Sequence, residues 1–141
     1  FGGPRWRGLV RRERTHDYVK RGPVPVMLAP SGAPVKRNFV HLDDLVEAIV
    51  AAIDHPKSRQ QLFNVCMDEP VDYAELAAYL QASRGLDSVP VQTEFHSTWP
   101  DNAKIKFFLG WRPRYDLRRL VDAAFDYRRS PEDPRKIWYP G

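Results

Sequence analysis

The sequence predicts an α/β fold, a small mixed assembly of helices and short strands. Stretches with helical periodicity alternate with short apolar runs, capping side chains stand where helices should begin, and 43% of the 141 residues are hydrophobic. This length suits one domain with a real core and is marginal for two. The expected order is helix, strand, strand, helix, strand, helix, strand, helix, helix. That is too few strands for a full-size doubly wound sheet.

The first elements lead up to the centre of the chain. Residues 2–4 predict a turn, and residues 7–20 predict a helix that a Gly-Pro pair ends. Residues 24–28 predict a short strand, and 29–34 predict a loop.

We expect the fold to be organised around residues 36–45, where an extended segment turns into a helix. Phe39 and Val40 favour a strand. Asp43 and Asp44 are expected to cap the following helix, because a carboxylate accepts hydrogen bonds from free backbone N–H groups.

The helix predicted at 43–54 has apolar residues at helical spacing along one face, and Pro56 ends it. The residues on this face are Leu45, Val46, Ile49, Val50 and Ile53.

Arg37 stands immediately before the corner. Its planar, always charged side chain is suited to binding an anionic group. The alternative is a surface ion pair with an acid such as Glu69, which would contribute little. The residues themselves leave both interpretations open.

Two further strands and an irregular tail are expected. Residues 62–66 predict a buried strand, and 89–95 predict another. Residues 1–129 are expected to form one domain, followed by a tail at 130–141 that is rich in proline and charge. Trp138 and Tyr139 are expected to hold that tail against the domain. The last three helices have clear end signals in the sequence: Asp72, Asp101 and Asp116 as N-terminal caps, and Gly85 and Gly110 after the first two.

Composition narrows the function classes. The net charge of +4 arises mostly from a basic segment at 5–21, so a basic module that binds nucleic acid is one alternative function. A solvated helix face explains the charge better, since no recognised nucleic-acid module surrounds these residues. A non-catalytic interaction module is another alternative.

The single cysteine, Cys66, excludes a disulfide framework and fits a reducing compartment. Free cysteines are usually buried small hydrophobes, so Cys66 is not expected to be a nucleophile. The sequence shows no membrane-length apolar run and no signal peptide at its start, so we expect a cytoplasmic protein.

Several catalytic and binding motifs are absent from the sequence. It contains no GxGxxG fingerprint, no phosphate loop of the GxxxxGK[ST] type and no Tyr-x-x-x-Lys pair. The four histidines are scattered, and a metal site is not expected. These residues alone do not support hydride transfer or hydrolysis.

Four motifs in register nevertheless resemble the C-terminal part of the NAD-dependent epimerase/dehydratase family, the extended short-chain dehydrogenases. They are Arg-x-Phe-Val-His-x-x-Asp-Leu at 37–45, Phe-Asn-Val at 63–65, Asp-Asn-Ala-Lys at 101–104 and Leu-Gly-Trp-x-Pro at 109–113. Phe-Gly-Gly-Pro at 1–4 is similar to a family loop entered midway, so we expect the chain to begin inside a longer protein.

The resemblance implies that the whole enzyme has two parts with different functions. In this family an N-terminal Rossmann half binds NAD or NADP and has the catalytic Ser/Thr, Tyr and Lys, while the C-terminal half supplies the substrate pocket. This chain resembles the second half only, a substrate-binding lobe without most of the Rossmann sheet. Its isolated activity is expected to be nil.

The family pattern also implies roles for individual residues. Gly3 and Pro4 would lie near the nicotinamide, and Arg37 matches an arginine that contacts the substrate diphosphate in nucleotide-sugar enzymes. Asp44 matches the aspartate that opens the next helix, where capping is its expected role.

The sequence departs from the family pattern at one point. Nucleotide-sugar epimerases usually have a second arginine that binds the other phosphate, and residues 91–100 contain no arginine. Ser97, Thr98, Trp99 and Asp101 are therefore expected to bind a smaller polyol, sugar acid or lactone. Plain packing is the alternative role for Trp99.

The predicted function is the substrate-binding half of an NAD(P)-dependent sugar or sugar-acid epimerase, dehydratase or dehydrogenase. NAD or NADP would bind the whole enzyme, and this part alone is not expected to bind it strongly. The expected partners are a small sugar or sugar acid and the missing Rossmann domain. Self-association through the apolar surface left by that domain is a further hypothesis.

Overall fold

The computed structural model describes residues 23–127 and Glu132. The predictions for Gly3 and Pro4, for the helix and basic segment within 5–21, and for the tail with Trp138 and Tyr139 lie outside the described residues.

The described elements form a small mixed α/β fold, as predicted, although β3 lies at Val71–Asp72, where no strand was predicted. They are β1 (Val24–Leu28), β2 (Lys36–Arg37), α1 (Leu42–Ala52), β3 (Val71–Asp72), α2 (Tyr73–Arg84), β4 (Ser88–Gln92), α3 (Ala103–Leu109) and α4 (Leu117–Asp126). No described helix is long and apolar enough to cross a lipid bilayer.

The strands form two separate pairs. Strands β1 and β4 run parallel, with Val24 opposite Ser88 and Leu28 opposite Gln92. Strands β2 and β3 run antiparallel, with Arg37 opposite Val71. The strand predicted at 89–95 is therefore present but ends at Gln92, because its partner β1 ends at Leu28. The backbone N–H of Thr93 donates a hydrogen bond to the carbonyl of Leu28 at 2.9 Å.

The predicted helix ends are confirmed for α2 and α4. The Asp72 carboxylate accepts from the backbone N–H of Ala74, and that of Asp116 accepts from the backbone N–H of Arg119. Gly85 and Gly110 follow α2 and α3 in the left-handed conformation, with φ of 65° and 67°, which glycine adopts without a steric penalty.

The core of the site-bearing region lies between α1 and α3. Ala48, Ile105 and Trp111 form a buried cluster, and Phe63 and Val65 pack against it. This cluster fixes one side of α1 against the rest of the domain.

The opposite side of α1 is apolar and exposed. We name Leu42, Val46, Ile49, Val50 and Ile53 the outer stripe; between 48% and 65% of each residue's surface is exposed. With about 3.6 residues per turn, this stripe lies across the helix from buried Asp44 and Ala48. The helical periodicity is thus confirmed, but the apolar face points away from the core.

The strand predicted at 62–66 is wrong. This segment contributes Phe63 and Val65 to the core but has no ladder partner among the described residues. A strand needs a neighbouring strand to pair its backbone N–H and C=O groups, and no strand within residues 23–127 lies alongside this segment. Leu62, at the start of the segment, is 83% exposed.

Candidate functional site

Arg37 lies at the end of β2, where a second segment passes alongside. Its Nη1 donates to the Oγ1 of Thr98 at 3.2 Å, and its Cζ lies 5.4 Å from the centre of the Phe95 ring. Thr98 and Arg37 also face each other in a parallel β-bridge. The guanidinium therefore has a hydroxyl and an aromatic face as neighbours.

Backbone contacts hold the loop at 97–100 against β2. The N–H of Lys36 donates to the hydroxyl of Ser97 at 2.9 Å, and the N–H of Thr98 donates to the carbonyl of Lys36 at 3.1 Å. One residue further on, the Asn38 amide donates to the carbonyl of Pro100 at 3.3 Å. The structure thus brings together Arg37, Ser97 and Thr98, which are 60 or more positions apart in sequence.

Arg37 has no carboxylate partner among the described residues. The ion pairs of residues 23–127 involve other cations, so the alternative pairing of Arg37 with Glu69 is wrong. An arginine whose charge no acid offsets is suited to binding an anion from outside the domain.

The other two predicted substrate contacts are Trp99 and Asp101. Trp99 is 54% exposed, so about half of its surface is available for contact. The Asp101 carboxylate accepts from the N–H of Ala103 at 2.6 Å, and its carbonyl accepts from the Asn64 amide at 2.8 Å. No hydrogen bond or ion pair within the described residues joins Trp99 or Asp101 to Arg37. Substrate contact by the predicted residues remains a prediction.

The expected capping role of Asp44 is wrong. Asp44 is fully buried, and its Oδ2 accepts from the backbone N–H groups of Arg114 and Tyr115, each at 3.1 Å. Its Oδ1 lies 3.5 Å from the Nε of Arg114, and its carbonyl accepts from the Trp111 indole at 3.1 Å. Asp44 therefore ties the beginning of α1 to the loop before α4.

His41 is the residue that caps α1. Its Nδ1 accepts from the backbone N–H of Asp43 at 3.2 Å, and its ring stacks on Tyr115 with the ring centres 3.7 Å apart. The Tyr115 hydroxyl donates to Asp43 at 3.0 Å, and this hydrogen bond raises the pKa of Tyr115 above its ordinary value. These contacts stabilise the corner that Arg37 precedes.

Cys66 is buried and free, as predicted. Burial raises the pKa of its thiol, and the nearby carboxylates of Asp101 and Asp68 raise it further. A thiol with a raised pKa is a poor nucleophile at neutral pH, and Cys66 instead donates to the carbonyl of Pro100 at 3.3 Å.

Comparisons with known proteins place this geometry in a family context. No protein-family model matches the chain. GDP-L-fucose synthase 1 of Arabidopsis thaliana is 26% identical over 121 residues, which cover 81% of this chain and 36% of the plant protein. Probable GDP-L-fucose synthase 1 of Oryza sativa subsp. japonica is 27% identical over 117 residues, which cover 78% and 34%.

A solved structure shares both sequence and fold with the chain. A short-chain dehydrogenase/reductase superfamily protein from Agrobacterium tumefaciens, with bound NAD, aligns with a TM-score of 0.66 and 27% identity. The alignment covers 71% of this chain and 31% of that protein. The chain is therefore similar in sequence to GDP-L-fucose synthases, and in sequence and fold to a short-chain dehydrogenase/reductase superfamily protein. UDP-glucuronic acid 4-epimerase from Bacillus cereus, in complex with NAD, adds a likeness of fold, with a TM-score of 0.59 and 21% identity. The chain spans about a third of the length of these relatives.

The sequence did not predict three features around residues 37–41: the contact of Phe95 with the Arg37 guanidinium, the stacking of Tyr115 on His41, and the buried side-chain oxygen of Asn38. The Oδ1 of Asn38 is buried and has no hydrogen-bond donor among the described residues. The one sequence signal for Phe95 was its place in the same segment as the predicted site residues Ser97 and Thr98. Residues 23–127 and Glu132 contain no group of three or more histidine, cysteine or acidic residues that could hold a metal ion.

Proposed function

We propose that this chain is the substrate-binding part of an NAD(P)-dependent epimerase, dehydratase or dehydrogenase that acts on a sugar or sugar acid. The observation that carries the proposal is the outer stripe, an apolar helix face directed away from the core of the described residues. A large apolar face of this kind marks an interaction surface. We propose that it packs against the cofactor-binding part of the enzyme.

The segment at 62–66 supports the same interface. It has no strand partner among the described residues, and Leu62 at its start is exposed. Phe63 and Val65 pack against the buried cluster that includes Ala48 of α1, so this segment and the helix with the outer stripe belong to one packed unit. An added strand from the cofactor-binding part would pair the open backbone groups.

The described residues do not offer a cradle for the cofactor's phosphates, since the sequence has no glycine-rich fingerprint. NAD or NADP would therefore bind the other part, where the nicotinamide supplies hydride transfer. In this part, Arg37 would hold an anionic group of the substrate, and Thr98 would orient the guanidinium. Such positioning supplies a large share of an enzyme's rate enhancement. We place the protein in the cytoplasm, consistent with the free Cys66 thiol.

Replacing Arg37 with alanine tests the substrate role. In an enzyme that contains this chain joined to its cofactor-binding part, Arg37→Ala should raise KM about tenfold or more, which corresponds to about 1.4 kcal/mol. Arg59→Ala is the matched control, because Arg59 is exposed and lies on the turn after α1. Steady-state kinetics measures both variants. Equal KM values for Arg37→Ala and the unaltered enzyme would show that Arg37 does not bind the substrate.

A further inference from the structure

We infer that Arg37 receives the carboxylate of a free sugar acid rather than the diphosphate of a nucleotide sugar. This inference deepens the proposed function and rests on it for the role of the ligand as substrate. Three features of the described residues carry it: the unpaired charge of Arg37, the acidic character of the neighbouring loop, and two exposed aromatic rings.

The first feature is a single cation with neutral neighbours. Thr98 and Phe95 contact the Arg37 guanidinium, and no acid among the described residues lies within ion-pair distance of it. A guanidinium presents two parallel N–H donors that match the two oxygens of one carboxylate. One free cation thus matches a ligand with one negative charge.

The second feature opposes a diphosphate, which has two negative charges. The loop at 93–101 passes beside Arg37 and contains Glu94 and Asp101 but no lysine or arginine. Lys36 is the adjacent cation, and its ammonium lies 3.5 Å from the Asp72 carboxylate. Among the residues that the structure describes, a second phosphate would therefore find no unpaired cation on this loop or on β2 beside Arg37 to offset its charge.

The third feature is a pair of half-exposed aromatic side chains on the loop beside Arg37, which suit a sugar ring. Phe95 and Trp99 are 48% and 54% exposed, on the same loop that binds β2 through Ser97 and Thr98. Aromatic faces pack against apolar C–H surfaces, while hydroxyl groups such as that of Thr98 hydrogen-bond with sugar hydroxyls. The ligand that combines these properties is a monosaccharide with one carboxylate.

Titration of the 141-residue chain with three ligands tests the inference. Two-dimensional NMR of the ¹⁵N-labelled chain would follow the addition of D-glucuronate, UDP-glucose and neutral D-glucose, each up to about 50 mM. This range of concentrations detects even binding that is weaker than about 4 kcal/mol. We expect D-glucuronate to bind most tightly and to shift the amides of residues 36–38 and 95–99. Arg37→Gln should weaken D-glucuronate binding about tenfold or more and leave D-glucose unchanged.

Arg59→Gln is the charge-matched control, and thermal melting confirms that each variant is folded. Tighter binding of UDP-glucose than of D-glucuronate would overturn the inference. So would the absence of D-glucuronate shifts, or a D-glucuronate affinity that Arg37→Gln does not change. A preference for UDP-glucose leaves the proposed function standing, because that function does not depend on which sugar anion binds.

Discussion

Ala48→Lys will unfold the domain, whereas Ile49→Lys, one position along the same helix, will leave its melting temperature nearly unchanged. Ala48 is 2% exposed and packs with Ile105 and Trp111, so a lysine there would bury a charge or break the cluster. Burying an unpaired charge is among the most destabilising substitutions, and we expect a loss above about 4 kcal/mol.

Ile49 belongs to the outer stripe and is 51% exposed. A lysine at that position reaches solvent, and surface substitutions usually change stability by less than about 0.5 kcal/mol. Thermal unfolding followed by circular dichroism distinguishes the two variants, each of which serves as the control for the other. A large destabilisation by Ile49→Lys would mean that the stripe is part of the core.

Asp44→Ala will destabilise the domain by about 3 kcal/mol, because it leaves two backbone N–H groups of the loop before α4 without their acceptor and removes the buried one of the two acidic partners of Arg114. For a chain of 141 residues, that loss corresponds to a fall in melting temperature of roughly 10 °C. Asp44→Asn keeps one acceptor oxygen and should cost about half as much.

Glu47→Ala is the matched control for Asp44. Glu47 also pairs with Arg114, at 2.8 Å, but its side chain is half exposed, so its loss should cost less than about 0.5 kcal/mol. Denaturant unfolding gives the free energy of unfolding for all three variants. Equal effects of Asp44→Ala and Glu47→Ala would show that the buried carboxylate is not what joins α1 to the loop before α4.

Local signals predicted most of the fold. Asp72, Asp116, Gly85 and Gly110 act within one turn of their own helices, so their roles can be read from neighbouring residues. The helical periodicity of α1 was equally clear. This periodicity could not predict which side of the helix faces the core, since an apolar stripe indicates a buried face but not the element that covers it.

The interactions that were missed depend on residues far apart in sequence. Asp44 looked like a cap because it stands at a helix start, but its acceptors serve backbone groups 70 and 71 positions away. The segment at 62–66 has the composition of a strand, yet composition does not supply a neighbouring strand. In the site, the family resemblance singled out Arg37 and Thr98, while only the fold shows that they are hydrogen-bonded.

The central claim is that this chain serves as the substrate-binding part beside a cofactor-binding part. Reading the messenger RNA on the 5′ side of the Phe1 codon tests it most directly. We expect an in-frame segment with a glycine-rich dinucleotide fingerprint after a strand, followed by a Tyr-x-x-x-Lys pair. An in-frame segment that lacks both motifs would show that this chain is not the substrate-binding part of such an enzyme.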